Sequence, residues 1–244
     1  MANGLSEAQV QQFYRDGYLV YGDFLAPQEV EELREAYMLA LDNMRAANQL
    51  KTVRPGDKEV FQIRVAHLHH PRFDGLLRNE RLLDLVESLI GPNLRLVLYQ
   101  GLYKPPFKGG VMDWHQDDFY FRVHKENAVA SCWVALDDVT VDNGCMWVVP
   151  GAHGELLEHV KSGDLGWDIP AIDESRAIPL EMKSGQIMFH HGLAPHRTLE
   201  NTTPSHRRAL ALHFMDAMAS TADPTRKKEP LEHVPVLRGT SVPW

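Results

Sequence analysis

The sequence predicts a mainly β protein, a jelly roll or barrel of short strands with helices near the N-terminus packed outside it. Three observations carry this. From Leu94 onward the chain breaks into short apolar or alternating runs: "LRLVLYQGLYK", "NAVASCWVALDDV", "CMWVVPGAH", "QIMFHHG" and "RRALALHFMDA". Turn chemistry separates them, as at Asp142-Asn143-Gly144, Pro150-Gly151 and Ser184-Gly185. Before Leu94, helix caps and a 3.6-residue apolar period prevail instead. With 244 residues, 44% of them hydrophobic, one domain can bury the core this requires. The expected layout is a mostly helical covering region over 1–93, a β core over 94–216 and an irregular segment over 217–244.

Taken in order, Ser6 and Gln9 have the spacing of a capping box, so a first helix should run to about Asp16 and stop at Gly17. "YLVYGDFL" reads as a strand. Pro27 suits the first turn of a second helix, and Val30, Leu33, Tyr37 and Leu41 recur on one stripe of it. The polar stretch "KTVRPGDKE", within 45–65, reads as a mobile loop and a candidate lid. Asn79 caps a third helix whose apolar face is Leu82, Leu83, Val86, Leu89 and Ile90, ended by Gly91-Pro92. The strands follow, and the polar, Pro-rich C-terminal stretch reads as surface chain. There is no internal repeat.

Composition narrows the function. Twenty-five basic against 33 acidic residues leave a formal charge of −8, which disfavours binding to nucleic acid because phosphate neutralisation needs a basic face. A small-molecule partner is expected. No apolar run approaches the ~20 residues of a membrane span, and "MANGLSEAQV" lacks a secretory start, so the expectation is a soluble, cytoplasmic protein. Cys132 and Cys145 are too few for a disulfide framework and read as buried thiols. Oligomeric state cannot be read from these features.

Thirteen histidines direct attention to metal chemistry. Composition alone predicts roughly two His-x-acid tripeptides, so the motif must be judged by its context. There are three: His115-Gln116-Asp117, His124-Lys125-Glu126 and His153-Gly154-Glu155. His124 lies in a charged "RVHKEN" stretch and His153 beside turn residues. His115 and Asp117, read as a strand, would aim a nitrogen and a carboxylate at one point, with Trp114, Phe119, Tyr120 and Phe121 as apolar walls. Two histidines and one carboxylate on one face leave positions open at a metal, as in non-haem Fe(II) oxygenases. The third ligand is sought in "FHHGLAPHRTLENTTPSHRRALALHF", where His190, His191, His196, His206 and His213 all stand. His190 and His191 are adjacent on one strand, so at most one faces inward. Arg207 shares a strand face with Ala209 and Ala211, which suits either a carboxylate anchor or an internal ion pair.

Together "FYRDGYLVYGDFL", "WHQD", "VDNGCMWVVPGAH" and "HHGLAPHRTLENTTPSHRRA" resemble the phytanoyl-CoA dioxygenase family of Fe(II)/2-oxoglutarate-dependent oxygenases, over about residues 5–216. The resemblance implies a double-stranded β-helix, a cupin-like jelly roll. It also implies Fe(II) held by His115, Asp117 and His196, with 2-oxoglutarate and O2 as co-substrates. Arg207 would hold the distal carboxylate of 2-oxoglutarate, assisted by Thr198, with Trp133 lining that site and Gln62, Leu102 and Tyr103 near it. Phe119, Tyr120, Phe121 and Trp147 are the candidate substrate contacts, and Arg122, His124 and Lys125 could meet an acidic group. Related halogenases replace the carboxylate ligand by a small residue. Asp117 is intact, so hydroxylation or a related oxidation of a C–H bond is expected. Two other readings are a cupin-like metal or ligand binder without turnover, and a zinc hydrolase, which the absence of an HExxH helix disfavours.

Overall fold

Local sequence dictates where the helices begin and end. The structure, a computed structural model, describes residues 4–52, 59–123, 125–162 and 166–244. In α1 (Glu7–Asp16), Ser6 Oγ accepts from the Gln9 amide while the Gln9 side chain accepts from the Ser6 amide, and Gly17 ends the helix at φ 80°. β1 (Tyr18–Asp23) follows directly. α2 (Pro27–Ala46) starts on its proline, with Glu29 accepting from the Ala26 amide, and buries Val30, Leu33, Tyr37 and Leu41. After β2 (Lys51–Thr52) and β3 (Phe61–Arg64) comes a helix the sequence reading did not anticipate, α3 (Pro71–Leu77), where the His70 ring accepts from the Arg72 amide. α4 (Glu80–Ile90) is capped by Asn79 and closed by Gly91.

The remaining chain is mostly strand: β4 (Leu94–Lys104), β5 (Met112–His115), β6 (Val129–Ala135), β7 (Met146–Val148), β8 (Val160–Ser162), β9 (Gly166–Asp168), β10 (Ile178–Leu180), β11 (Gln186–His191), β12 (His196–Thr198), β13 (Arg207–Asp216) and β14 (Val236–Arg238). A short helix, α5 (Asp117–Phe121), interrupts them. They form a major sheet in the order β1-β11-β6-β13-β4-β3-β2 with β14 on β4, a minor sheet β10-β7-β12-β5, and a β8-β9 hairpin. This two-sheet sandwich is the double-stranded β-helix expected from the sequence, and it is not a closed barrel.

Period-two alternation divides the major sheet into two chemical faces. Leu210 and Leu212 of β13, with Cys132, Val134 and Phe189, join a core covered by α1–α4. Ala209 and Ala211, with Leu102, Trp133 and Met188, face Met146, Val148 and Leu180 of the minor sheet. Both cysteines are buried and unpaired. Among the described residues no helix is long and apolar enough to cross a membrane.

Two features of the sheets refine the sequence reading. Within the mostly helical region 1–93, the strand read over "YLVYGDFL" is β1, and both it and the unanticipated four-residue β3 extend the major sheet. The C-terminal stretch is not merely surface chain: β14 pairs with β4, and Arg95 lies against the Trp244 ring at 4.9 Å. The candidate lid includes residues 53–58, which lie outside the described residues.

The seat of α2 on the sheet depends on Gly101 of β4, since a Cβ there would lie 2.7 Å from the ring of fully buried Tyr37. Gly101→Ala should therefore overpack this contact and cost about 1–3 kcal/mol. A urea melt should show a lower midpoint with an unchanged m-value; an unchanged midpoint would show that the ring has room to move.

Candidate active site

His115 and Asp117 do not share a strand, as first expected. β5 ends at His115, and Asp117 opens α5. The two still point the same way because the intervening Gln116 is extended, at φ −117° and ψ 134°. Buried Gln116 clamps this junction: its Nε2 donates to the Glu155 and Leu193 carbonyls at 2.9 and 2.6 Å, and its Oε1 accepts from the Leu157 amide at 2.7 Å. His196 opens β12 directly opposite His115 in the minor sheet. Both imidazoles thus reach the same point as Asp117, with His115 Nε2 at 4.0 Å and His196 Nε2 at 3.9 Å from Asp117 Oδ1. One ligand atom from each of the three lies within 4.8 Å of the others, the geometry of a metal site.

Hydrogen bonds prepare these atoms for a cation. His115 Nδ1 meets the Asp113 carbonyl at 2.7 Å and His196 Nδ1 the Ala194 carbonyl at 3.0 Å. A carbonyl only accepts, so each proton sits on Nδ1 and each Nε2 lone pair faces the carboxylate. Burial, reinforced by the neighbouring histidines, lowers both imidazoles to about 4, so they are neutral ligands at neutral pH. Burial alone would raise Asp117, but His213 and His196 and the hydrogen bond from His213 hold it well below the usual carboxylate range.

Behind Asp117, the major sheet supplies one row of polar side chains. His190, Ser131 and His213 are register neighbours on β11, β6 and β13. Ser131 Oγ donates to Asp117 Oδ2 at 2.7 Å, and His213 Nδ1 is 3.1 Å from the same oxygen. Oδ1 is thereby left toward the two imidazoles. Gln100 Nε2 lies 3.3 Å from His213 Nε2, while Gln100 Oε1 accepts from Gln62 Nε2. His190 Nε2 lies 3.7 Å from Asp117 Oδ2, and its ring packs against that of His196 with centroids 4.5 Å apart. His191, on the opposite face, contacts Asn127, and His206 bonds Tyr103.

Farther along the same sheet face lies an uncompensated charge. Arg207 is 1% exposed, yet among the described residues Nε, Nη1 and Nη2 all lack a hydrogen-bond partner. The internal ion pair weighed from sequence is not made: Asp137 is taken by Arg208 through contacts of 2.9 and 2.7 Å. Burial lowers Arg207 only to about 10, so it stays a cation at neutral pH. Two more buried donors without partners belong to the same region, Trp133 Nε1 and Thr198 Oγ1, and Arg207 lies 5.7 Å over the Trp133 ring. A cavity of about 30 Å³ is lined by Thr198, Trp133, Leu102 and Ala211 together with His115, Asp117 and His196, and Arg207 stands beyond this lining, against the Trp133 ring. Buried polar groups are nearly always satisfied, so this cluster of unpartnered donors is suited to receive an anion.

A second, wider cavity of about 240 Å³ opens from His115 and Asp117 to the surface. Tyr120 and Phe121 line it, as do Gln62, Gln100, Arg64, Trp167 and Arg226. Phe119 instead stacks on His159 with centroids 4.0 Å apart. Trp147 lies in the minor sheet opposite Arg197 and lines neither cavity, while Tyr103 faces the helices with Tyr37. Lys125 pairs with Asp216 and Arg122 sits over the Phe119 ring; His124 is outside the described residues. Sequence reasoning missed Ser131, Gln100, Trp167 and Arg226. The signal for the first two was a polar residue inside an apolar strand; the others leave none, because chain far away in sequence delivers them.

Ser131→Ala removes the hydrogen bond that orients Asp117, and losing such an outer partner costs about 10–100-fold in metal affinity. Anaerobic Fe(II) titration should show that loss while the thermal midpoint of metal-free protein stays within a few degrees. Unchanged affinity would leave His213 as the residue that fixes Asp117.

Residues 13–209 match the model of the family described as phytanoyl-CoA dioxygenase. The chain is 27% identical over 255 residues to phytanoyl-CoA dioxygenase 1 of Oryza sativa subsp. japonica, covering 88% of this chain and 90% of that one. It is 28% identical over 234 residues to a probable alpha-ketoglutarate-dependent hypophosphite dioxygenase of Stutzerimonas stutzeri, covering 87% and 79%. Among solved structures, the alpha ketoglutarate dependent carbocyclase SnoK from nogalamycin biosynthesis superposes with a TM-score of 0.80 at 25% identity, over 96% of both chains. The epimerase SnoN in complex with Fe3+, alpha ketoglutarate and nogalamycin RO gives 0.75 at 26%, over 92% and 90%.

Proposed function

The chain belongs to the phytanoyl-CoA dioxygenase family and is a 2-oxoglutarate-dependent dioxygenase that uses iron, and from that premise we propose that it oxidises a C–H bond of a small molecule, most simply by hydroxylation. His115, Asp117 and His196 are proposed to hold Fe(II), and Arg207 to hold the distal carboxylate of 2-oxoglutarate. The observation that carries the second assignment is the buried guanidinium with three unpartnered nitrogens. A two-pronged, charge-assisted contact to a carboxylate would satisfy it. Thr198 Oγ1 and Trp133 Nε1 supply further donors, and Ala211 presents only a methyl group to the inner cavity.

When bound, iron and 2-oxoglutarate supply the activation of dioxygen, with succinate and carbon dioxide as the other products. The protein's own residues do the rest. Two neutral imidazoles and one carboxylate hold the metal by one face, and Ser131 with His213 keeps Asp117 turned so that Oδ1 leads. Gln116 fixes the strand-to-helix junction on which their convergence depends. Tyr120 and Phe121 form an apolar approach that positions the substrate and limits water near the metal. The retained Asp117 favours oxygen insertion over halogenation. A binder without turnover has no use for a buried carboxylate clamp, so the oxygenase reading is preferred.

Anaerobic addition of Fe(II) and 2-oxoglutarate should produce the visible charge-transfer absorption of a metal-bound keto acid, and His196→Ala should abolish it. Metal binding without that absorption in the wild-type protein would refute the co-substrate assignment. Arg207→Ala should raise the 2-oxoglutarate concentration for half-saturation of the same band at least tenfold, since truncating one partner of a buried charge pair costs about 2–5 kcal/mol. An unaltered requirement would move the anchor elsewhere.

A further inference from the structure

We propose that the substrate is a compact molecule with one carboxylate or phosphate-type group, and that Arg64 and Arg226 bind this anion at the mouth of the wider cavity while its apolar part lies against Tyr120 and Phe121. The proposal rests on the oxygenase reading and adds to it the chemical class of the substrate.

Two distant parts of the chain deliver the arginines. On β3 the alternation sends Ile63 into the helix-covered core and Gln62 and Arg64 into the cavity. Arg226 comes from the C-terminal stretch, where its guanidinium lies 4.8 Å over the Phe121 ring. Its Nε donates to the Tyr120 carbonyl at 3.3 Å and its Nη1 to the Val97 carbonyl at 3.2 Å. Those acceptors hold the side chain in place without neutralising it. Arg64 and Arg226 line the same cavity, and burial and the nearby Arg64 lower the Arg226 pKa while Glu229, Asp223 and Asp117 act in the other direction.

The acidic residues of the C-terminal stretch near Arg226 are engaged in contacts of their own. Asp223 Oδ1 accepts from the Thr225 amide and hydroxyl, both at 2.8 Å, and Glu229 Oε1 meets His233 Nδ1 at 2.9 Å. Asp113 and Asp168 also line the cavity, and each has interactions of its own. Asp117, deeper in, is held by Ser131. Among the described residues, Asp117 and Glu229 make their close ion-pair contacts with histidines rather than with Arg64 or Arg226. Paired guanidinium forks match a carboxylate or a phosphate, and an anion between them would relieve their repulsion. At about 240 Å³ the cavity is small, below the roughly 300–1,000 Å³ of drug-sized ligand sites. It therefore suits a molecule of a few carbons beyond its anionic group.

The test is calorimetric titration of the anaerobic protein, loaded with Fe(II) and saturating 2-oxoglutarate, with hexanoate, hexyl phosphate and hexan-1-ol. At least one anion should bind tenfold or more tightly than the alcohol, and which one does so identifies the group. Arg226→Gln should weaken that binding at least tenfold. Because Arg226 also bonds two backbone carbonyls, Arg64→Gln is the companion variant; its side chain is exposed and should weaken binding without threatening the fold. Equal binding of all three probes, no binding of either anion, or anion binding unaltered in both variants would overturn the proposal. So would loss of binding in Arg207→Ala alone, which would place the probe in the co-substrate compartment. The charge-transfer absorption is recorded in the wild-type sample before titration. Its absence would count against the oxygenase reading, while the anion titration would still report on the arginine pair.

Discussion

A fully buried guanidinium, Arg207, with no hydrogen-bond partner among the described residues is the constraint around which this protein is organised. Leaving Arg207 charged inside the sandwich costs free energy that the apolar contacts of the surrounding sheets must offset. Natural cores avoid such a cost unless a ligand repays it. At the other end of the same sheet face stands the opposite case, a carboxylate kept ionised by the histidines around it. On the proposed assignment, a divalent cation at Asp117 and a dicarboxylate spanning to Arg207 would leave these interior charges balanced.

The double-stranded β-helix makes this separation possible because each strand serves two environments at once. On β13, Leu210 and Leu212 hold the helical layer while Arg207, Ala209, Ala211 and His213 form the wall of the site. A single-residue slip of register would exchange the two sets, putting leucines into the site and an arginine under the helices. The apolar side is therefore what enforces the positions of the polar side. Close fits such as that of Tyr37 over Gly101 help to lock the layer in that register.

Chemistry and selectivity come from different parts of the architecture. The sandwich places the metal ligands and the carboxylate cradle on strands or at strand ends, where alternation is rigid. The wider cavity, by contrast, is completed by α5, the β8-β9 hairpin and the C-terminal stretch. Such connecting segments vary without disturbing the sheets. The hypophosphite dioxygenase and the nogalamycin epimerase to which the chain is similar carry unlike substrates in their names. A common interior with a variable mouth accounts for that breadth.

Much of this was legible in the residues. Capping chemistry located α1, α2 and α4, since cap and helix lie within a few residues of each other. Alternation predicted that Arg207, Ala209 and Ala211 share a face and that only one of His190 and His191 turns inward. Spacing brought His115 and Asp117 together, although Asp117 proved to start a helix. What the sequence by itself determined was everything set by neighbours along the chain: helix ends, strand faces and the ligand types available. Only the tertiary structure decided which histidine completes the triad, that Asp137 pairs with Arg208 and so leaves Arg207 unpartnered, and that Arg226 reaches the cavity from far along the chain. Those outcomes depend on sheet register and on the competition of buried charges for few partners, and neither is encoded in local spacing.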